Sequence, residues 1–217
     1  LKVLLETYPG IRISSDNCCA AKEADVLILA VKPQLIDYVA EEISQYTVGK
    51  QVISLAAAKT IERIEKSLDS ELARVSRVMT GLYVAEQIAF YTLGKNNVRE
   101  DAEVIRYIFG KDALERDEEL LAHRTWIACA TGLRPKAIAE EISELEKLGM
   151  NPQDAALVYA RDLEAVAKRL RAGISGKEIL ANVGGPGSFT QSLAEYLSGK
   201  GHYNLLRSCV NRTVRAC

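Results

Sequence analysis

No long hydrophobic run occurs in the 217 residues: the longest uncharged apolar stretch, Val26–Val31, is six residues, far short of the roughly 20 needed to span a bilayer. No basic segment followed by an apolar one marks a secretory signal, so the expectation is a cytoplasmic protein with no membrane partner. Histidine is nearly missing, with only His123 and His202. The five cysteines, Cys18, Cys19, Cys129, Cys209 and Cys217, form no CxxC or Cys/His cluster with metal-ligand spacing. No metal site is therefore expected, and the odd cysteine count suits a reduced protein without a disulfide framework. An excess of charge of either sign is missing too. With 28 basic against 29 acidic residues, nothing draws the chain electrostatically to nucleic acid or an anionic surface.

What is present is an ordinary globular composition, 48% apolar and 26% charged, organised in two different periods. The first half alternates strands and helices. Ile11–Ser14 is a short alternating run, and Ser15-Asp16-Asn17 supplies a cap for a helix over Cys18–Glu23. Asp25–Val31 is aliphatic and β-branched without a break, as in a strand buried on both faces, and Pro33 ends it. Leu35, Val39 and Ile43 at spacing four predict a helix. Strands are expected over Gln51–Leu55, Arg74–Met79 and Gln87–Thr92, and helices over Ile61–Leu68 and Arg99–Phe109, the last with Ala102, Ile105 and Phe109 on one side. Such alternation predicts βαβ units and a mostly parallel sheet. Lys2–Tyr8 reads as the end of a helix already under way behind a first residue that is leucine, so the natural N-terminus is expected upstream.

From Asp117 the period becomes 3.6. Ile138, Ile142, Leu145 and Leu148 form one stripe, closed by Gly149 and Pro152. Ala156, Ala160, Leu163, Val166 and Leu170 form a second, stopped by Gly173, and helices resume over Phe189–Leu197 and Tyr203–Val214. The expected organisation is an α/β domain over residues 1–116 and an all-helical domain over residues 117–217. A helical domain this small with long apolar stripes often completes its core against a second copy, so a homodimer or higher homo-oligomer is expected.

In an open parallel sheet, ligands bind outside the carboxyl ends of the strands. That rule singles out Ala30-Val31-Lys32-Pro33, Ala56-Ala57-Ala58 and Met79-Thr80-Gly81. Small residues there either admit a flat or phosphorylated ligand close to the backbone or are tight strand exits. The usual G-x-G-x-x-G loop is lacking. The near match, Gly185-x-Gly187-x-x-Thr190, has no strand before it. Its glycines, followed by Ser188 and Thr190 at a helix start, suit either an anion-binding turn or a helix–helix turn capped by Ser188.

The blocks ADVLILAVKPQ, SLAAAKT, RVM, DEELLAHRT and NVGGPGSFT, in that order, resemble the pyrroline-5-carboxylate reductases, which carry AVKPQ, S-x-A-A-G, R-V-M-P-N-T-P, an acidic stretch leading into T-A-L-S-G-S-G-P, and S-P-G-G-T-T. The resemblance runs from about Asn17 to the C-terminus. It implies a Rossmann domain for NADPH or NADH, an all-helical domain that interlocks into dimers, and reduction of the C=N bond of 1-pyrroline-5-carboxylate to proline. Carried onto this sequence, it implies that Asn17 lies near the adenosine end of the cofactor. Ala30, Val31, Lys32 and Pro33 would line its ribose and nicotinamide, with Ala56 and Ala57 in the next loop. Met79 begins the substrate-side loop, and Pro186, Gly187, Ser188, Phe189 and Thr190 occupy the carboxylate-binding turn. Thr190 corresponds to the threonine that hydrogen-bonds or protonates the ring nitrogen.

The sequence also departs from that pattern. The family's first strand and Gly-rich loop have no counterpart. Gly81-Leu82-Tyr83 stands for Asn-Thr-Pro, Ala128–Gly132 lacks Ser-Gly-Ser-Gly-Pro, and Ser188-Phe189 replaces Gly-Thr. Three readings follow: a divergent pyrroline-5-carboxylate reductase, a related reductase of another small imine or carbonyl acid, and a non-catalytic dimeric relative.

Overall fold

Among the described residues, five strands make one sheet in the order of the chain: β1 (Val26–Leu29), β2 (Gln51–Ser54), β3 (Arg74–Met79), β4 (Phe90–Leu93) and β5 (Leu114–Glu115). The computed structural model describes residues 2–81 and 88–217. β1–β2, β2–β3 and β4–β5 pair parallel, whereas β4 runs antiparallel to β3. Helices α2 (Asn17–Glu23), α3 (Ile36–Ile43) and α4 (Ile61–Leu68) precede or connect the first three strands, and α5 (Arg99–Phe109) links β4 to β5. A short α1 (Lys2–Thr7) comes before them, in keeping with the helical reading of Lys2–Tyr8.

Side chains of a strand alternate between faces, and the core divides accordingly. Leu27, Leu29, Val52 and Val75 pack with Ile36, Ala40, Ile43, Ile64 and Leu68 on one side of the sheet. Ile53, Val78 and Tyr91 pack with Ala102, Ile105 and Phe109 on the other. Helical cover on both faces of a mostly parallel sheet is the Rossmann-like α/β arrangement.

Some expectations are corrected. Ile11–Ser14 belongs to no strand, and Ile11 and Ile13 are exposed, because an alternating run becomes a strand only with a neighbour to bond. Pro33 starts a 3-10 turn over Pro33–Leu35 that turns Leu35 outward; the buried face of α3 is Ile36, Ala40 and Ile43, spaced i, i+4, i+7. The fourth strand starts at Phe90; Gln87, like Leu82 and Tyr83, lies outside the described residues.

Contacts group the described residues up to Ala128, with Val214–Cys217, in one unit, and Cys129–Thr213 in a second. The division falls inside α6 (Leu120–Lys147), which continues through Pro135. The second unit adds α7 (Pro152–Arg171), α8 (Gly176–Val183), α9 (Phe189–Gly199) and most of α10 (His202–Ala216). Ile138, Ile142 and Leu145 are half-buried, but Leu148 is 85% exposed. On α7 the buried residue is Ala155, and the apolar stripe through Leu163, Val166 and Leu170 is exposed. No described helix is long and apolar enough to cross a membrane.

Candidate cofactor and substrate site

The site is built from the register of the parallel strands. Leu29 pairs with Ser54, and Ser54 with Arg77. The Leu55 amide adds a further bond to the Leu29 carbonyl at 3.1 Å. The chain therefore leaves the sheet on one edge at Ala30, at Ala56 and just beyond Met79. Ala30 is exposed, Ala57 half-buried, and Ala56 and Met79 buried. Nothing larger than a methyl group stands at 30, 56 or 57, so a flat ligand can approach the backbone there. At the exit of β3, Thr80 Oγ1 is buried with no hydrogen-bond partner among the described residues. Small side chains and an unpaired hydroxyl fit the ribose and nicotinamide end of a dinucleotide; the described residues show no glycine cradle for its diphosphate.

The loop after β2 is fastened along its length. Ser54 Oγ accepts from the Ala56 amide at 3.3 Å, and the Ala56 carbonyl accepts from Arg77 Nη2 at 3.3 Å. Ala58 follows with φ +60, a left-handed conformation that costs a residue with a Cβ. Lys59 Nζ pairs with Asp37 Oδ2 on α3 at 2.8 Å. Thr60 caps α4, its hydroxyl accepting from the Arg63 amide at 3.2 Å, and the Ile61 amide donates to Glu118 Oε1 at 2.7 Å. Asp37 also accepts from Arg63 and Ser67. The Arg63 guanidinium first, and then the Lys59 ammonium, hold its carboxyl well below the usual carboxylate range.

Asn17 is the first residue of α2, behind Asp16, whose Oδ1 caps the helix by accepting from the Cys18 and Cys19 amides at 2.8 and 3.2 Å. Its side-chain amide donates to Glu42 Oε2 at 2.8 Å. It lines an open cleft of about 720 Å³ together with Arg12, Ser14, Asp16 and Cys19.

The glycine-rich turn lies in the second unit. Ser188 Oγ caps α9 by accepting from the Gln191 amide at 3.1 Å, so the capping role falls to Ser188 and not to Thr190. Gly187 has φ +79, and its amide meets Gln191 Oε1 at 3.2 Å. At Gly184 a Cβ would stand 2.8 Å from the Leu180 carbonyl, so only glycine fits. Phe189 is 97% exposed, and Thr190 next to it is exposed. Among the described residues no group of three or more His, Cys, Asp or Glu could hold a metal ion.

Sequence reasoning places Ala58 in the loop after β2 but misses its left-handed backbone, and it misses Arg77 and Glu118. A signal existed for Ala58 and for Arg77. Ala58 stands where the S-x-A-A-G block ends in glycine, and Arg77 interrupts an otherwise uncharged stretch of a buried strand, where a charge needs a partner.

A doubly covered, mostly parallel sheet with small residues at its carboxyl edge fits one class, a Rossmann-like NAD(P)-dependent oxidoreductase. Residues 1–58 match the family model described as NADP oxidoreductase coenzyme F420-dependent. The pyrroline-5-carboxylate reductase of Methanosarcina acetivorans is 31% identical over 193 residues, covering 86% of this chain and 71% of that protein. That of Aquifex aeolicus is 29% identical over 217 residues, covering 96% and 80%. Among solved structures, the Plasmodium falciparum pyrroline carboxylate reductase with NADP bound superposes with a TM-score of 0.83 at 21% identity, over 93% of this chain and 79% of that one. The Streptococcus pyogenes enzyme gives 0.84 at 18%, over 99% and 84%; both likenesses concern the fold. The chain belongs to the pyrroline-5-carboxylate reductase family, oxidoreductases that act on CH–NH bonds with NAD(P).

Proposed function

We propose that the chain reduces the C=N bond of 1-pyrroline-5-carboxylate to give proline, in the cytoplasm, as a step of proline biosynthesis. The observation that carries this reading is the common sheet edge of Ala30–Pro33, Ala56–Ala57 and Met79, formed by blocks that follow the family's order. When bound, NADPH or NADH supplies a hydride for the imine carbon. Ala30, Val31, Lys32, Pro33, Ala56 and Ala57 receive its ribose and nicotinamide, and Asn17 its adenosine end. Met79 lines the substrate side. In the second unit, Gly187, Ser188, Phe189 and Thr190 form the turn for the substrate carboxylate, and the Thr190 hydroxyl donates a hydrogen bond or proton to the ring nitrogen. Residues 1–116 serve as the nucleotide domain and residues 117–217 as the substrate and dimerisation domain. A homodimer is supported by the exposed Leu157, Leu163, Leu170, Leu193 and Leu205, an apolar surface of the kind that marks an interface.

Phe189 favours a second reading. A fully exposed ring where the family has threonine changes the shape offered to a small imino acid, which suits a related reductase of another small imine or carbonyl acid. The test is NADPH and NADH oxidation by the full-length protein, with 1-pyrroline-5-carboxylate compared against larger cyclic imino acids and 2-oxo acids. Turnover with the five-membered imine supports the first reading. Turnover only with the others supports the second.

A further inference from the structure

We propose that Arg77 and Glu118 are positioning residues that lock the Ala56–Thr60 loop in the shape that receives the cofactor. The inference rests on the reading of that loop as part of the nucleotide edge. Arg77 lies on β3 and is 3% exposed. Its guanidinium spans two partners, donating through Nη1 to Glu118 Oε1 at 2.7 Å and through Nη2 to the Ala56 carbonyl at 3.3 Å. The same Glu118 oxygen accepts from the Ile61 amide, the first of α4. One ion pair thus grips both ends of the loop: Ala56 where it leaves β2, and Ile61 where it enters α4.

Between these two points sits Ala58 at φ +60. A non-glycine residue in that region persists only when its surroundings hold it there. The clamp supplies that hold. A buried guanidinium also needs a fixed anion nearby, and Glu118 is its carboxylate partner. Arginine suits the place because a planar fork reaches two acceptors at once, which a lysine ammonium on a flexible stem does not do in a fixed geometry. Neither residue is assigned contact with the cofactor or the substrate; both act through Ala56 and the loop.

The experiment uses the full-length protein with two readouts, affinity for NADPH and NADH by fluorescence titration, and amide hydrogen exchange without cofactor. Glu118→Ala should weaken cofactor binding at least tenfold and raise its KM, with kcat at saturation within about twofold, and should speed exchange at both Ala56 and Ile61. Glu118→Gln keeps an acceptor oxygen for the Ile61 amide but removes the charge facing Arg77, and should weaken binding less than Glu118→Ala does. Should Glu118→Ala not fold, Arg77→Lys takes its place and should show the same weakening. If the parent binds neither nucleotide, the nucleotide reading itself fails and the clamp with it. If the parent binds and the variants bind equally well, with faster exchange at Ile61 alone, the pair is a structural ion pair and the positioning role is overturned.

Discussion

Lys59 Nζ stands 2.8 Å from Asp37 Oδ2, joining the loop after β2 to α3. With Arg63 and Ser67 on the same carboxylate, Asp37 is the hub between α3 and α4. Because its carboxyl is held below the ordinary range, the unfolded chain takes up the proton first as pH falls. The stabilisation is therefore complete above the unfolded value of about 3.9 and is lost as pH drops through the lower folded value. Asp37→Asn should cost about 1–2 kcal/mol at pH 7 in urea unfolding. The gap between parent and variant should stay constant down to about pH 5 and narrow below about pH 4. A gap that widened on acidification would contradict the assignment.

Ala58→Gly removes a Cβ from a left-handed position. Relief of that strain contributes about 1–2 kcal/mol, and the greater freedom of glycine in the unfolded chain offsets about half of it. The variant should gain about 0.5–1 kcal/mol and melt about 1–3 °C higher by calorimetry. A lower melting temperature would show that the Ala58 methyl makes a contact worth more than the strain.

The elements that can be read from the sequence are those in which period and punctuation agree. Ile61–Leu68 follows a threonine cap, Arg74–Met79 is a short run with valines facing both sides of the sheet, and Arg99–Phe109 carries Ala102, Ile105 and Phe109 on one side; all three occur with those bounds. What escapes reading depends on partners. The direction of β4 and the two-residue β5 follow from which strand lies beside them. Helix α8 carries a signal, the Ser175/Glu178 capping box, in which the Ser175 amide meets Glu178 at 2.8 Å and the Glu178 amide meets Ser175 at 3.3 Å. The sheet edge proposed for the cofactor is readable because strand exits and small residues are local features. The Arg77–Glu118 pair is not, since its members lie 41 residues apart.

Burial decides which alanine can test the nucleotide edge. Ala56 is 2% exposed and packed in the core, so a charge there would disturb the fold itself. Ala57 is half-buried in the same loop. Ala57→Glu places a carboxylate beside the proposed nucleotide path, and NAD(P)H affinity should fall tenfold or more, about 1.4 kcal/mol or above, with melting unchanged within about 2 °C. Equal affinity in parent and variant would remove Ala57 from the edge.

The exposed leucines of α7, α9 and α10 bear on assembly. An obligate dimer closing over them should bury on the order of 2,000 Å² or more. Light scattering at micromolar concentration should give twice the chain mass or a higher multiple, and Leu163→Lys with Leu170→Lys should lower it. A stable, fully folded monomer in the parent protein would count against the dimer.

Thr190 is the residue proposed above to serve the ring nitrogen. Since Ser188 caps α9, removing the Thr190 hydroxyl leaves the helix start intact, and the usual loss of about 1 kcal/mol for a missing cap should not appear. Thr190→Val keeps the branched shape and deletes only the donor. If that hydroxyl serves the ring nitrogen, kcat should fall at least tenfold, toward the roughly 10²-fold typical of a positioned acid, which corresponds to about 1.4–2.7 kcal/mol in the barrier. NAD(P)H affinity should hold, because the second-unit turn is assigned to the substrate. Ser188→Ala provides the contrast: it should lose about 1 kcal/mol of stability through the cap. Steady-state kinetics and melting curves on the two variants separate the roles. Normal turnover in Thr190→Val would move the proton source elsewhere, to a bound water or another side chain.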